Sequence, residues 1–460
     1  MLFHSTRGKD NNKTFEEILM QGLAKDGGLF MPDYWPEVDL DNLKNLDNFI
    51  DVAKKIVPLF TDSSFTNIEV EHLLDRTWHN FDKKDFIDIF EINESVSILE
   101  LFHGPTAAFK DFGLQLAAAF FNKTLQKQKK TAIVFGATSG DTGSAAIDAC
   151  KEFDLIKTFI LIPEGNMSEI QRKQMTTVHK DNVFPILASG TFDDCQDIVK
   201  RGFNERTFLK DDQYLLAVNS INWVRIIGQI CYYFYVSLKI NNLSSPLNFS
   251  VPTGNFGNVF ACYAASKMGM PLSKIIVAVN SNDILDRFFR NNDYSKEKVN
   301  ETISPSMDIS VASNFERLLY DFYLEGDTKV CSQLYSNFPN SKIEIDSNIW
   351  KKSSQLFISY SSDDKATYEC MKYYFNNFNY VMDPHTAVAA DAVNKLNDKL
   401  DGKTIILSTA HPAKFPLALK NAGLPPSLPN KLSRILDKKE VAHRLSSKDD
   451  SIFEFIKNNN

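Results

Sequence analysis

The chain has 460 residues, 43% of them hydrophobic and 24% charged, the balance of an ordinary globular protein long enough for two or three domains. A formal charge of −7 and a pI near 5.7 argue against nucleic acid, whose phosphates demand a basic face. The start, MLFHSTRGKD, has no apolar run behind a basic cluster, and the most apolar stretch, IIGQICYYFYVSL (226–238), is interrupted and too short for a bilayer.

Taken in order, residues 1–95 read as a mainly helical segment. KTFEEILMQGLA has apolar positions at helical spacing and stops before the DGGLFMP turn. From residue 96 strands and helices alternate. TAIVF is a β-branched strand, GATSGDTG a loop and SAAIDACKEF a helix; KTFILIPEG is the next strand. LNFSVP, TGNFGN and VFACYAASKMG repeat strand, loop and helix, the last closed by Gly269. SKIIVAVN and KTIILSTA add strands, and PLALKNAG a final helix. This alternation predicts an α/β protein with mainly parallel sheets covered by helices. The expected division is the segment 1–95, a small α/β domain over 96–215 and a large one over 216–460, with an irregular elaboration at about 285–370. The six cysteines are scattered without a C-x-x-C pair and lie mostly beside apolar residues, which predicts free thiols in a reducing cytoplasm. No Cys/His spacing suggests a metal.

Ligands of open α/β sheets bind beyond the carboxyl ends of the strands, where two loops have suitable chemistry. Gly136–Ala146 carries three glycines and four hydroxyls before a helix, and Pro252–Phe260 follows another strand. Free amides at such helix starts favour anions. Neither loop is a nucleotide motif: the first lacks the lysine of a P-loop and the second is not G-x-G-x-x-G. Two cradles suit two anionic groups, a cofactor phosphate and a substrate carboxylate. Between them in chemistry stands Lys110, in ELFHGPTAAFKDFGLQLAAAF, a lone amine opening an apolar helix. Desolvation disfavours its charged form and makes it nucleophilic at neutral pH. An amine with phosphate and carboxylate cradles describes a pyridoxal 5'-phosphate site for amino acids.

HGPTAAFKDFGLQ, ATSGDTGSAA, VPTGNFGN and SPSMDISVASNFERL, in this order and flanked by STRG, DGGLFMP and STAHPAKF, resemble the threonine synthases of the form without an allosteric regulatory extension. The likeness runs from about residue 5 to 416. It implies the tryptophan-synthase-β-like fold (fold type II) and conversion of O-phospho-L-homoserine and water to L-threonine and phosphate. By resemblance Lys110 matches the Schiff-base lysine, and Gly254, Asn255, Phe256, Gly257 and Asn258 match the loop holding the cofactor phosphate. Thr409 matches the hydroxyl residue facing the pyridine nitrogen. Thr138, Ser139, Gly140, Asp141 and Thr142 match the loop that receives the substrate carboxylate, with Asp141 standing where related enzymes tend to have Asn. A carboxylate pointing inward there would repel the substrate's, so backbone and hydroxyls are expected to bind. Lys414 is the expected ligand of the substrate phosphate, with His411, Ser168, Arg172 and Lys173 as further candidates. Of the other polar residues, His103 and Thr106 flank Lys110 and suit orienting or structural roles. Asn314, Glu316 and Arg317 would brace the site or simply open a helix. A phospho-lyase releasing 2-oxobutyrate and ammonia, and a non-catalytic scaffold, are the rival readings. The expected partner is a small molecule, with neither membrane nor nucleic acid, and the protein a monomer or small homo-oligomer.

Overall fold

The computed structural model describes residues 1–460 apart from Lys84, Ser139, Asn166, Ser427 and Asp449. At the N-terminus, T-x-x-E sequences start two helices. Thr14 and Glu17 form a capping box for Phe15–Gln21, and Thr66 and Glu69 another for Asn67–Thr77. Strands β1 (Phe3–Ser5) and β2 (Phe30–Pro32) pair antiparallel beside them.

Two further sheets carry the architecture. The larger runs β11 (Phe357–Ser361), β10 (Leu272–Val279), β9 (Leu247–Pro252), β12 (Thr404–Ser408), β4 (Val96–Glu100) and β3 (Asp88–Glu91). Its pairings are parallel except β3 with β4. The smaller runs β13 (His443–Leu445), β7 (Val183–Ala188), β6 (Ile156–Pro163), β5 (Thr131–Ala137) and β8 (Gln213–Leu216), all parallel. In β9 and β12 every residue is buried, as expected of strands covered by helices on both faces.

The sheets do not follow the contiguous division drawn from the sequence. β4 belongs to the larger sheet although it precedes the smaller one in the chain, and the C-terminal β13 extends the smaller sheet. The helix Ser451–Asn459 packs Ile452, Phe453 and Ile456 against Phe135, Phe159 and Phe208 there. Short segments lack enough local apolar pattern to declare which core they join. In the region 285–370, β11 completes an edge of the larger sheet, so that stretch is integral to it.

The apolar stretch 226–238 lies in the helix Trp223–Asn241, buried from Trp223 to Leu238. It crosses the helix Lys110–Gln128 at two glycines. A Cβ on Gly113 would lie 2.9 Å from the Arg225 carbonyl oxygen, and one on Gly228 2.9 Å from that of Phe112. Larger residues would push the helices apart. Among the described residues no helix is long and apolar enough to cross a membrane.

Ile456 is fully buried at the far end of the chain. Replacing Ile456 with Ala should lower the unfolding free energy by about 2–4 kcal/mol, measured by denaturant titration.

Candidate active site

Three backbone hydrogen bonds join the end of β12 to the loop before Lys110. Leu101 N–H donates to Ser408 O at 2.9 Å, Phe109 N–H to Thr409 O at 2.8 Å and His411 N–H to Ala107 O at 3.0 Å. Ala107 sits at φ +58°, a left-handed conformation that a non-glycine residue holds only when its surroundings fix it. The Asp111 carboxylate closes the turn, accepting from Thr106 N–H (2.9 Å) and Oγ1 (2.6 Å). Burial pushes its pKa up to about 7. Only glycine fits at 104, where a Cβ would come within 2.3 Å of Asp111 Oδ2. Lys110 and Thr409, 299 positions apart by numbering, are thus fixed in adjoining segments.

The Lys110 side chain is 13% exposed, and its Nζ lies 3.7 Å from Asp141 Oδ2. Burial draws its pKa below the usual lysine value; Asp141 opposes that shift, while Lys414 and Arg225 add to it. The other carboxylate oxygen of Asp141 accepts from Lys414 Nζ at 2.7 Å and Gln171 Nε2 at 2.9 Å. Burial by itself would raise the Asp141 pKa, but the ammoniums of Lys414 and Lys110 outweigh it and hold it well below the usual carboxylate range. Lys414 also donates to Thr106 O at 2.8 Å, as does Gln174 Nε2.

Asp141 opens the helix Asp141–Cys150. Ahead of it, Thr138 Oγ1 accepts from the amides of Gly140 (3.1 Å) and Gly143 (3.0 Å). Thr142 is half-buried in the first helical turn. Ser139 lies outside the described residues.

The Gly254–Asn258 loop leaves β9 and enters the helix Gly257–Lys267, with Phe256 at φ +63°. A Cβ at Gly254 would come 2.9 Å from Ser306 O. Asn255 O accepts from Asn314 N–H and Nδ2, both at 3.0 Å. Asn258 Oδ1 accepts from the hydroxyls of Tyr232 and Tyr233, leaving its Nδ2 buried without a partner. A helix start with free amides, a spare amide donor and a tightly backed glycine fit a phosphate group. The guanidinium of buried Arg225 donates to Val218 O at 2.9 Å, and its Nε has no partner among the described residues. Lys414 and Arg225, with Lys110 whenever it is protonated, surround the Asp141 carboxylate, a balance that suits anionic ligands.

Other sequence candidates divide. Asn314 and Arg317 do brace the loop: fully buried Arg317 bonds Asn314 Oδ1, Phe30 O and Ile221 O. Glu316 holds Thr6 and Arg7 of the STRG stretch. His103 contacts Glu100 at 2.9 Å, while His411 accepts from Ala413 N–H and is pushed down to about 4 by burial. Arg172 pairs with Glu440 at 2.9 Å, Lys173 bonds Leu436 O, and Ser168 caps its helix. Lys414, expected at the substrate phosphate, has a side chain that is 0% exposed and paired with Asp141. Sequence reading passed over Gln171 and Gln174, in a stretch that reads as a solvated helix face, and Arg225. The signal at Arg225 was that of Lys110, one charge in an apolar helix.

Family models match nearly the whole chain in sequence: "Threonine synthase N terminus" over residues 2–78, "Pyridoxal-phosphate dependent enzyme" over 91–333 and "Threonine synthase, C-terminal" over 386–456. Threonine synthase of Pseudomonas aeruginosa is 40% identical over 444 residues, 96% of this chain and 94% of that one. Its counterpart in Saccharomyces cerevisiae is 40% identical over 457, covering 92% and 89%. The chain belongs to the threonine synthase family. The crystal structure of PLP-bound threonine synthase from Brucella melitensis superposes with a TM-score of 0.95 at 35% identity, over 100% of this chain and 99% of that one. The yeast threonine synthase structure gives 0.91 at 38%, over 99% and 97%. As in that family of pyridoxal-phosphate enzymes, the fold is type II, and the cofactor is pyridoxal 5'-phosphate.

Asp141→Asn would leave Lys414 buried without its counter-charge, a loss of about 3–5 kcal/mol readable by denaturant unfolding at neutral pH. Because the folded pKa of Asp141 is depressed, its contribution is fully present above the ordinary value of 3.8 and disappears as pH falls below it toward the folded value. The difference between wild type and variant should therefore narrow in acid.

Proposed function

We propose that this protein converts O-phospho-L-homoserine and water to L-threonine and phosphate. The observation that carries the reading is Lys110, a buried amine close to Asp141 and stitched to the Thr409 segment, in a chain of the threonine synthase family. Bound pyridoxal phosphate supplies an electron sink for charge developing on the substrate.

The protein's residues do the rest. Gly254–Asn258 holds the cofactor phosphate through the amides of its helix start, with Asn258 Nδ2 as a further donor. The Thr409 hydroxyl would serve the ring-nitrogen end of the cofactor, where it could not deliver a proton as a carboxylic acid would. Lys110, favoured as the neutral amine by burial, takes the proton from the substrate Cα, hands that proton on, and as the neutral amine again takes one from Cβ. Loss of the second allows phosphate to leave from Cγ; a proton returns at Cγ, water adds its hydroxyl at Cβ, and a proton is restored at Cα. The loop 138–142, shaped by the bond of the Gly140 amide to the Thr138 hydroxyl, receives the substrate carboxylate. Asp141 does not compete with it, since one carboxylate oxygen is occupied by Lys414 and Gln171. Lys414 thereby acts as counter-ion within the wall of the site. Ser168, at the start of the helix that carries Gln171 and Gln174, stands on the helix side for the substrate phosphate. The departing phosphate, with its second pKa near neutrality, serves as base for the attacking water. Six buried free cysteines suit a reducing cytoplasm.

Incubation with phosphohomoserine should yield threonine and inorganic phosphate in equal amounts. Accumulation of 2-oxobutyrate would instead indicate the phospho-lyase. Lys110→Ala should retain the wild-type circular dichroism and make no threonine. Mass spectrometry after borohydride reduction should place the pyridoxyl group on Lys110 and on no other side chain.

A further inference from the structure

Asp383 is fully buried and caps the helix Pro384–Leu396. Its two carboxylate oxygens lead in different directions. Oδ1 accepts from His385 Nδ1 at 2.8 Å. That bond fixes the ring, 3% exposed and set against Phe415, so that Nε2 accepts the Ser306 backbone N–H at 3.1 Å. Ser306 in turn backs Gly254, whose added Cβ would meet its carbonyl oxygen at 2.9 Å. The other oxygen, Oδ2, accepts the Thr386 hydroxyl. With that hydrogen committed, Thr386 Oγ1 accepts from Ser408 Oγ at 3.0 Å, and Ser408 directly precedes Thr409.

One buried carboxylate is therefore connected in two steps to Ser306, which backs the phosphate loop, and in two steps to Ser408, the residue before Thr409. We propose that Asp383 is a positioning residue that fixes the phosphate end and the ring-nitrogen end of the cofactor site relative to each other, through His385–Ser306 and Thr386–Ser408. This rests on the reading that Gly254–Asn258 and Thr409 meet the cofactor. The helix start supports the arrangement: its amides and dipole favour a negative charge at the cap, so the carboxylate needs no lysine or arginine. Each arm ends on a rigid part of the fold, a glycine backed by main chain on one side and a buried parallel strand on the other. A shift of the carboxylate moves both ends of the site together.

The test compares pyridoxal 5'-phosphate with pyridoxal, which has the ring and aldehyde but no phosphate. His385→Leu should weaken binding of the phosphorylated form about tenfold, the scale of one lost buried hydrogen bond, and leave pyridoxal binding near wild type. His385→Gln, which can present an amide oxygen to Ser306 N–H, should restore most of the preference. Thr386→Val should weaken both ligands alike, because the ring end is common to them. Asp383→Asn should weaken both and also reduce the preference, and it replaces His385→Leu as the deciding variant if the latter does not fold. A merely structural loss would lower both affinities together in every variant, and that result would overturn the proposal. So would a wild-type preference retained in His385→Leu. Wild-type protein that binds pyridoxal as tightly as its phosphate would overturn the phosphate-loop assignment itself, a failure visible before any variant is made.

Discussion

The site depends on one ionised carboxylate held among buried cations. Lys110, Lys414 and Arg225 all bear on the same small region, and Asp141 is the acid that neutralises part of their charge. Burying an unpaired ammonium costs several kcal/mol, so Lys414 is sealed only because Asp141 meets it at 2.7 Å. Lys110 stands farther off, at 3.7 Å. Close pairing would stabilise its ammonium and oppose proton abstraction; the longer separation lets burial dominate. The two lysines thus differ in setting, one paired closely with a carboxylate and one held mainly by burial.

The residual positive charge also explains why the surroundings are rich in neutral donors. Thr106 O receives Lys414 and Gln174, and Asp141 receives Gln171. Amides satisfy the buried oxygens without adding charge. What remains unbalanced, Arg225 above all, faces a reaction whose cofactor and substrate are both phosphorylated.

Rigidity comes from placing the reacting groups where elements meet. The Lys110 loop is bonded to the outgoing chain of β12, and the Gly254–Asn258 loop is braced by Asn314 and Arg317. The STRG and SNFERL motifs, which carry no reactive group of their own, join through Arg7 and Glu316. They support the loop from behind, at distances where a misplacement of about 1 Å would already slow catalysis.

Alternating apolar strands and helices were legible in the sequence because a buried parallel strand must be apolar over its whole length, as in LNFSVP and TIILS. The burial of Lys110 was legible for a related reason: it is a lone charge in an apolar run. The same reasoning reached the glycine-rich loops, whose free amides are a local property. It did not reach the partner of Lys414, the membership of β4 in the larger sheet or the docking of the C-terminal helix on the smaller one. Local pattern and lone charges are written within a few residues and can be read there. Which carboxylate neutralises which amine, and which sheet a short strand joins, depend on segments hundreds of positions apart, and only packing of the whole chain decides them.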